Sequence, residues 1–163
     1  MKGIIIVMGV AGCGKSAVGR ALAEALGWPF YDGDAYHPPQ NVAKMAAGIP
    51  LDDADRAPWL ERLRGIISDH LARGEPAVLA CSALKKAYRS QLRGGDEAVR
   101  FVYLRGDRAL IRRRLRERPD HYMAADMLES QFAALEEPAP GEALAVDAAA
   151  DVPVIVDQIL AQL

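Results

Sequence analysis

Threonine is absent from this 163-residue chain, and asparagine occurs once, at Asn41, where valine follows it. That removes the Asn/Thr-Lys-x-Asp element with which regulatory GTPases read guanine. Cysteine is nearly as scarce, with Cys13 and Cys81 the two copies, far apart in sequence. A disulfide framework is not expected, and a reducing cytoplasm is the expected location. No cluster of cysteine and histidine has zinc-ligand spacing. No apolar run nears the roughly 20 residues of a membrane span. The run from Ile4 to Val10 is too short, and too lightly flanked by charge, for a secretory leader. Strong net charge is also missing. At −2 the chain has no general drive toward nucleic acid or an anionic membrane, so neither is expected as a partner. What remains is an ordinary globular composition, 51% apolar and 26% charged, over a length that suits one domain spanning 1–163.

What is present is concentrated at the start. The apolar run Ile4 to Met8 feeds into Gly9-Val10-Ala11-Gly12-Cys13-Gly14-Lys15-Ser16, which fits the phosphate-binding pattern G-x-x-x-x-G-K-S between a strand and a helix. Glycines let such a loop turn tightly and aim backbone N–H groups inward as a nest for phosphate oxygens. Lys15 adds a mobile ammonium for the β- and γ-phosphates, and the Ser16 hydroxyl suits Mg²⁺. The segment from Ala17 to Leu26 continues as a helix whose positive end faces the phosphates. Gly9 through Ala17 are therefore the expected ATP-binding residues, with Cys13 offering its N–H.

Further along, short apolar strands alternate with helices. A helix stop and a short strand are predicted within Gly27 to Asp32, and further strands at Ala77–Cys81, Val99–Leu104 and Leu144–Val146. Helices are predicted near 41–47, from an N-cap at Asp55 to Gly74, and over 84–92, 108–118, 124–135 and 152–163. This alternation indicates βαβ units and a parallel sheet covered on both faces, with ligands at the carboxyl ends of its strands.

Three clusters fall at those ends. The first is Asp32-Gly33-Asp34 with His37. Asp34 can accept a proton from a substrate hydroxyl, and Asp32 can hold Mg²⁺ through water. An Asp-Gly turn with solvated carboxylates is the competing reading, and the neighbouring phosphate loop favours the functional one. The second runs from Cys81 to Arg89. The preceding strand ends in Ser82 rather than the acidic residue of many NTPases, so a metal must rely on Ser16, phosphate oxygens, water and Asp32. Lys85 and Arg89, spaced i, i+4, suit a carboxylate or phosphate, against the alternative of a solvated cationic face. The third is the arginine-rich run 105–118, read as a lid over ATP rather than a nucleic-acid patch.

Taken together these segments resemble the gluconokinases, small P-loop sugar-acid kinases related to shikimate and nucleoside monophosphate kinases. The resemblance rests on GVAGCGKS at 9–16, DGDAYHPPQNVAKMAAGIPLDDADRAPWL at 32–60, CSALKKAYRSQLR at 81–93, FVYLRG at 101–106 and RPDHYMAADMLESQFAALEEP at 118–138. It implies an α/β three-layer sandwich, with a five-stranded parallel sheet in the order 2-3-1-4-5, helices on both faces and a helical lid at 108–131. It implies ATP- and Mg²⁺-dependent phosphorylation of D-gluconate at its 6-hydroxyl, in a homodimer. By position, Lys15, Asp34 and Arg118 become catalytic candidates, and Arg114 and Arg118 the lid arginines facing ATP. Arg56, Lys85 and Arg89 become candidates for the sugar acid's carboxylate and hydroxyls, joined by His37, His121 and Gln131. Shikimate and adenylylsulfate kinases are the nearest alternatives.

Overall fold

The first strand, β1 (Ile4–Met8), is buried along its whole length and alternates its side chains between two cores. Ile5 and Val7 point to one face and Ile4, Ile6 and Met8 to the other, as the two-residue period of a strand requires. A strand buried on both sides needs neighbours on both edges. Here β3 (Ala77–Ala80) and β4 (Val99–Arg105) supply them, both parallel to β1. β2 (Phe30–Asp32) pairs with β3 and β5 (Leu144–Asp147) with β4, again in parallel. The order β2-β3-β1-β4-β5 is the one expected. This computed structural model describes residues 3–117 and 125–163.

Seven α-helices among the described residues connect and cover the sheet. α1 (Lys15–Leu26) and α7 (Val152–Ala161) pack on the Ile5/Val7 face through Val18, Leu22, Ile155 and Ile159. α3 (Asp53–Arg73) and α4 (Lys86–Arg93) cover the other face through Trp59, Leu63, Ile67 and Leu92. α2 (Pro39–Ala46), α5 (Arg108–Arg116) and α6 (Ala125–Ala134) gather over the carboxyl end of the sheet.

Element ends differ from expectation in instructive ways. The N-cap of α3 is Asp52 rather than Asp55. Asp52 Oδ1 accepts from the Asp55 N–H at 2.8 Å, and Asp55 Oδ2 accepts from the Asp52 N–H at 3.1 Å. This reciprocal capping box pushes Pro58 into the second turn, where it has no N–H to give the helix. α4 begins at Lys86, leaving Lys85 extended as its cap, so Lys85 and Arg89 do not share a helical face. α5 ends at Arg116, two residues short of the expected end.

Candidate active site

A cleft of about 560 Å³ opens where β1, β2 and β3 end. Its floor is the phosphate loop. Gly14 adopts φ +98°, a left-handed conformation open to glycine, and from there the chain enters α1 with the helix's first N–H groups facing the cleft. Lys15 folds back so that its Nζ donates to Val10 O at 3.1 Å. Ser16 Oγ donates to Asp32 Oδ2 at 3.0 Å, which joins the loop to the end of β2. The other oxygen of Asp32 accepts the Asp34 N–H at 3.1 Å and shapes the turn that carries Asp34 to the cleft wall. Gly33 is obligatory in that turn, because a Cβ there would lie 2.5 Å from Ala80 O.

The expected residues divide into those that line the cleft and those that do not. Ala11, Gly12, Gly14, Lys15, Ser16 and Ala17 line it, as do Asp34, His37, Arg56 and Gln131. Gly9, Val10 and Cys13 lie behind them. Cys13 is buried, and its N–H is engaged by Val10 O at 3.2 Å rather than open to the cleft as expected. Burial raises its thiol above the ordinary value. Arg114 reaches the back of the loop instead of the cleft, donating to Cys13 O at 3.2 Å and to Ala148 O at 2.6 Å. Gln131 Oε1 accepts the Ala11 N–H at 3.2 Å, which brings α6 directly onto the loop.

Arg56 is buried in the wall, and among the described residues its side chain makes one hydrogen bond, Nη1 to the Tyr88 hydroxyl at 3.1 Å. The Tyr88 hydroxyl in turn makes a short bond to Asp53, and Lys85 Nζ donates to the same carboxylate at 2.9 Å. Tyr88 first, and then Lys85, hold Asp53 below the usual carboxylate range. Lys85 therefore faces Asp53 and does not line the cleft.

Arg89 is a clearer departure. Its side chain is 3% exposed and donates to Glu142 Oε1 at 2.7 Å, to Ala83 O and Leu84 O at 2.9 and 3.1 Å, and to Glu136 O at 2.8 Å. Burial alone would raise Glu142, but the Arg89 hydrogen bond and the Ala139 N–H outweigh it and leave its carboxyl lowered. Arg89 thus clamps the turn after β3, where Ala83 takes a strained φ of +45°. Its Glu142 partner stands 53 residues away, and the spacing of Lys85 and Arg89 held no sign of it. Arg118 and His121 lie outside the described residues.

Several lining residues were not singled out from the sequence as site residues. Arg20, on the first helix, sits with its guanidinium 5.0 Å from the Phe30 ring centre. Ser82 and Ser130 add hydroxyls. Met45, Leu51 and Met127 form a small apolar cluster at the cleft, drawn from α2, the loop after it and α6. Trp59 forms an apolar wall, its Nε1–H donating to Gly33 O at 2.8 Å. Only its place in the segment 32–60 could have flagged it.

A phosphate loop entering a helix, with carboxylate, hydroxyl and guanidinium groups converging on one cleft of a 2-3-1-4-5 sheet, defines a small-molecule P-loop kinase. Comparison with known proteins narrows the class. The family model described as shikimate kinase matches residues 11–161. The gluconokinase of Gluconobacter oxydans is 49% identical over 138 residues, covering 85% of this chain and 78% of the relative. The thermoresistant gluconokinase of Escherichia coli is 44% identical over 139 residues, covering 85% and 79%. The crystal structure of a gluconokinase from Sinorhizobium meliloti superposes with a TM-score of 0.89 at 44% identity, covering 98% of this chain and 90% of that one. The chain belongs to the gluconokinase family.

Proposed function

We propose that this protein transfers the γ-phosphoryl group of ATP to the 6-hydroxyl of D-gluconate, giving 6-phospho-D-gluconate. The observation that carries the reading is Arg56. Its guanidinium is buried and lines the cleft, its one side-chain hydrogen bond among the described residues goes to the Tyr88 hydroxyl, and the Asp53 carboxylate acts on it from beyond that hydroxyl rather than by direct pairing. A sugar acid brings the missing carboxylate, which a neutral sugar lacks. The gluconokinase names of the relatives agree with this choice over shikimate or adenylylsulfate.

Lys15 releases Val10 O and turns to the β- and γ-phosphates, which are cradled by the N–H groups at the start of α1. Asp34 accepts the proton of the attacking hydroxyl and orients it in line with the γ-phosphate. Arg114, already against the loop, steadies the nucleotide side, and Arg118 and His121 are proposed to join from the segment between α5 and α6. Gln131 and His37 are assigned to substrate hydroxyls. The Ser16 and Asp32 oxygens, 3.0 Å apart at the mouth of the loop, form a hard-donor pair that fits Mg²⁺. Among the described residues no group of three acidic, histidine or cysteine side chains could hold a metal, so phosphate oxygens and water would complete the shell. The bound ion would neutralise phosphate charge. Residues 1–163 act as one kinase domain with a lid over 108–131. The family resemblance supports a homodimer, and the two buried free cysteines suit a reducing cytoplasm.

ADP release with gluconate and with glucose tests the reading. Expected is a kcat/KM for gluconate on the order of 100-fold or more above that for glucose, since a neutral ligand leaves the buried Arg56 guanidinium without a carboxylate bonded to it. Equal values would overturn the assignment of Arg56 and of the substrate.

A further inference from the structure

Asn41, the chain's single asparagine, is 1% exposed and makes two hydrogen bonds through the same nitrogen. Its Nδ2 donates to Asp55 O at 2.8 Å and lies 3.2 Å from His37 Nδ1. A backbone carbonyl can only accept, so the amide orientation is decided by Asp55 rather than by convention. The second proton on Nδ2 then faces His37 Nδ1, which must carry a lone pair and no hydrogen. Asn41 Oδ1, meanwhile, is buried without a partner among the described residues. A buried acceptor without a donor lowers stability, so the bond to Asp55 O comes at a cost that an apolar side chain here would not carry.

The geometry points to Asn41 as a positioning residue that locks His37 in the Nε2–H tautomer, so that the cleft presents a donor, never an acceptor, to one substrate oxygen. This inference rests on the proposed sugar-acid kinase reading. The ring is fixed in two further ways. It stacks on Trp59 at 4.2 Å between ring centres and 14° between planes, and Trp59 is itself held by Gly33 O. His37 Nε2 bonds to none of the described residues, while the residue lines the cleft. Burial lowers the imidazole's tendency to protonate; Asp34 opposes this and Arg56 adds to it. A neutral imidazole with its proton on Nε2 offers one hydrogen bond of fixed polarity, which a hydroxyl or carboxylate oxygen can accept. The same Asp55 whose carbonyl holds Asn41 returns the capping-box bond to the Asp52 N–H and pairs with Lys44 at 2.8 Å, so the start of α3 anchors the lock.

Nitrogen-detected NMR of the ligand-free protein reads the tautomer directly, with His37→Gln assigning the signal among three histidines. Expected is a neutral His37 protonated on Nε2 near pH 7. Asn41→Asp replaces the donor with an acceptor, moving the proton to Nδ1. It should raise the KM for gluconate roughly tenfold while leaving the KM for ATP within about twofold. A wild-type His37 protonated on Nδ1 overturns the inference even if Asn41→Asp does not fold. So does an Asn41→Asp enzyme with an unchanged KM for gluconate. If the wild-type proton sits on Nε2 but gluconate is no substrate, the tautomer lock stands and only the substrate reading fails.

Discussion

Lys15 and Asp34 face the same cleft and fail differently when removed. Lys15→Ala takes away charge stabilisation of the transferring group, and kcat should fall about 100-fold or more. Asp34→Asn keeps the size but loses the proton acceptor. ATP should bind with near-normal affinity while kcat falls by roughly 10²-fold, and a near-normal kcat would contradict the base assignment. Arg56→Gln separates binding from chemistry. The KM for gluconate should rise on the order of 30-fold with a smaller change in kcat, and the preference over glucose should shrink in parallel. At this scale the sequence was most legible where function depends on backbone shape. The phosphate loop and the Asp32-Gly33-Asp34 turn could be read in order, since each local residue has one conformational job. That Lys85 and Arg89 share no helical face and do not line the cleft was not legible, because their partners, Asp53 and Glu142, are distant in sequence.

Among the elements, α3 and α4 carry both stability and the site. Asp52→Ala breaks the capping box at the start of α3 and should cost about 1 kcal/mol, read as a lower midpoint in urea with an unchanged slope. The Arg89–Glu142 pair ties α4 to the loop before β5. Because the Glu142 carboxyl is held below its ordinary value of 4.5, its contribution is present above that pH and is lost as pH falls further. Arg89→Met should lower stability by roughly 2–4 kcal/mol at pH 7 and flatten the acid limb of the stability curve below about pH 4.5. A variant with the wild-type acid limb would show that the pair is energetically silent. α5 and α6 both reach the phosphate loop, through Arg114 and Gln131. Hydrogen exchange over 108–117 and 125–131 should slow when ATP and gluconate are both saturating, and unchanged exchange would refute a closing lid. Helix existence could be read from periodicity. The start of α3 could not, because Asp52, Asp53 and Asp55 are all competent caps and the reciprocal bond decides among them.

For the whole molecule, the alternation of short apolar strands with helices was enough to anticipate a parallel sheet, and the family resemblance supplied its strand order. The two-faced burial of β1 explains why that signal was strong: Ile4 to Met8 has no polar position to obscure it. The apolar cleft wall was weaker, since Met45, Leu51 and Met127 meet only after α2 and α6 converge over the sheet. The fold places an anion-binding loop and a buried guanidinium with no directly paired carboxylate among the described residues at one cleft, and together they suit transfer from ATP to an anionic polyol. Phosphorus NMR of a reaction holding Mg²⁺, ATP, gluconate, glucose and shikimate tests this directly. One new phosphomonoester should appear, coupled to the methylene protons of gluconate carbon 6, in step with ADP. An ester on another acceptor, or ADP accompanied only by inorganic phosphate, would contradict it.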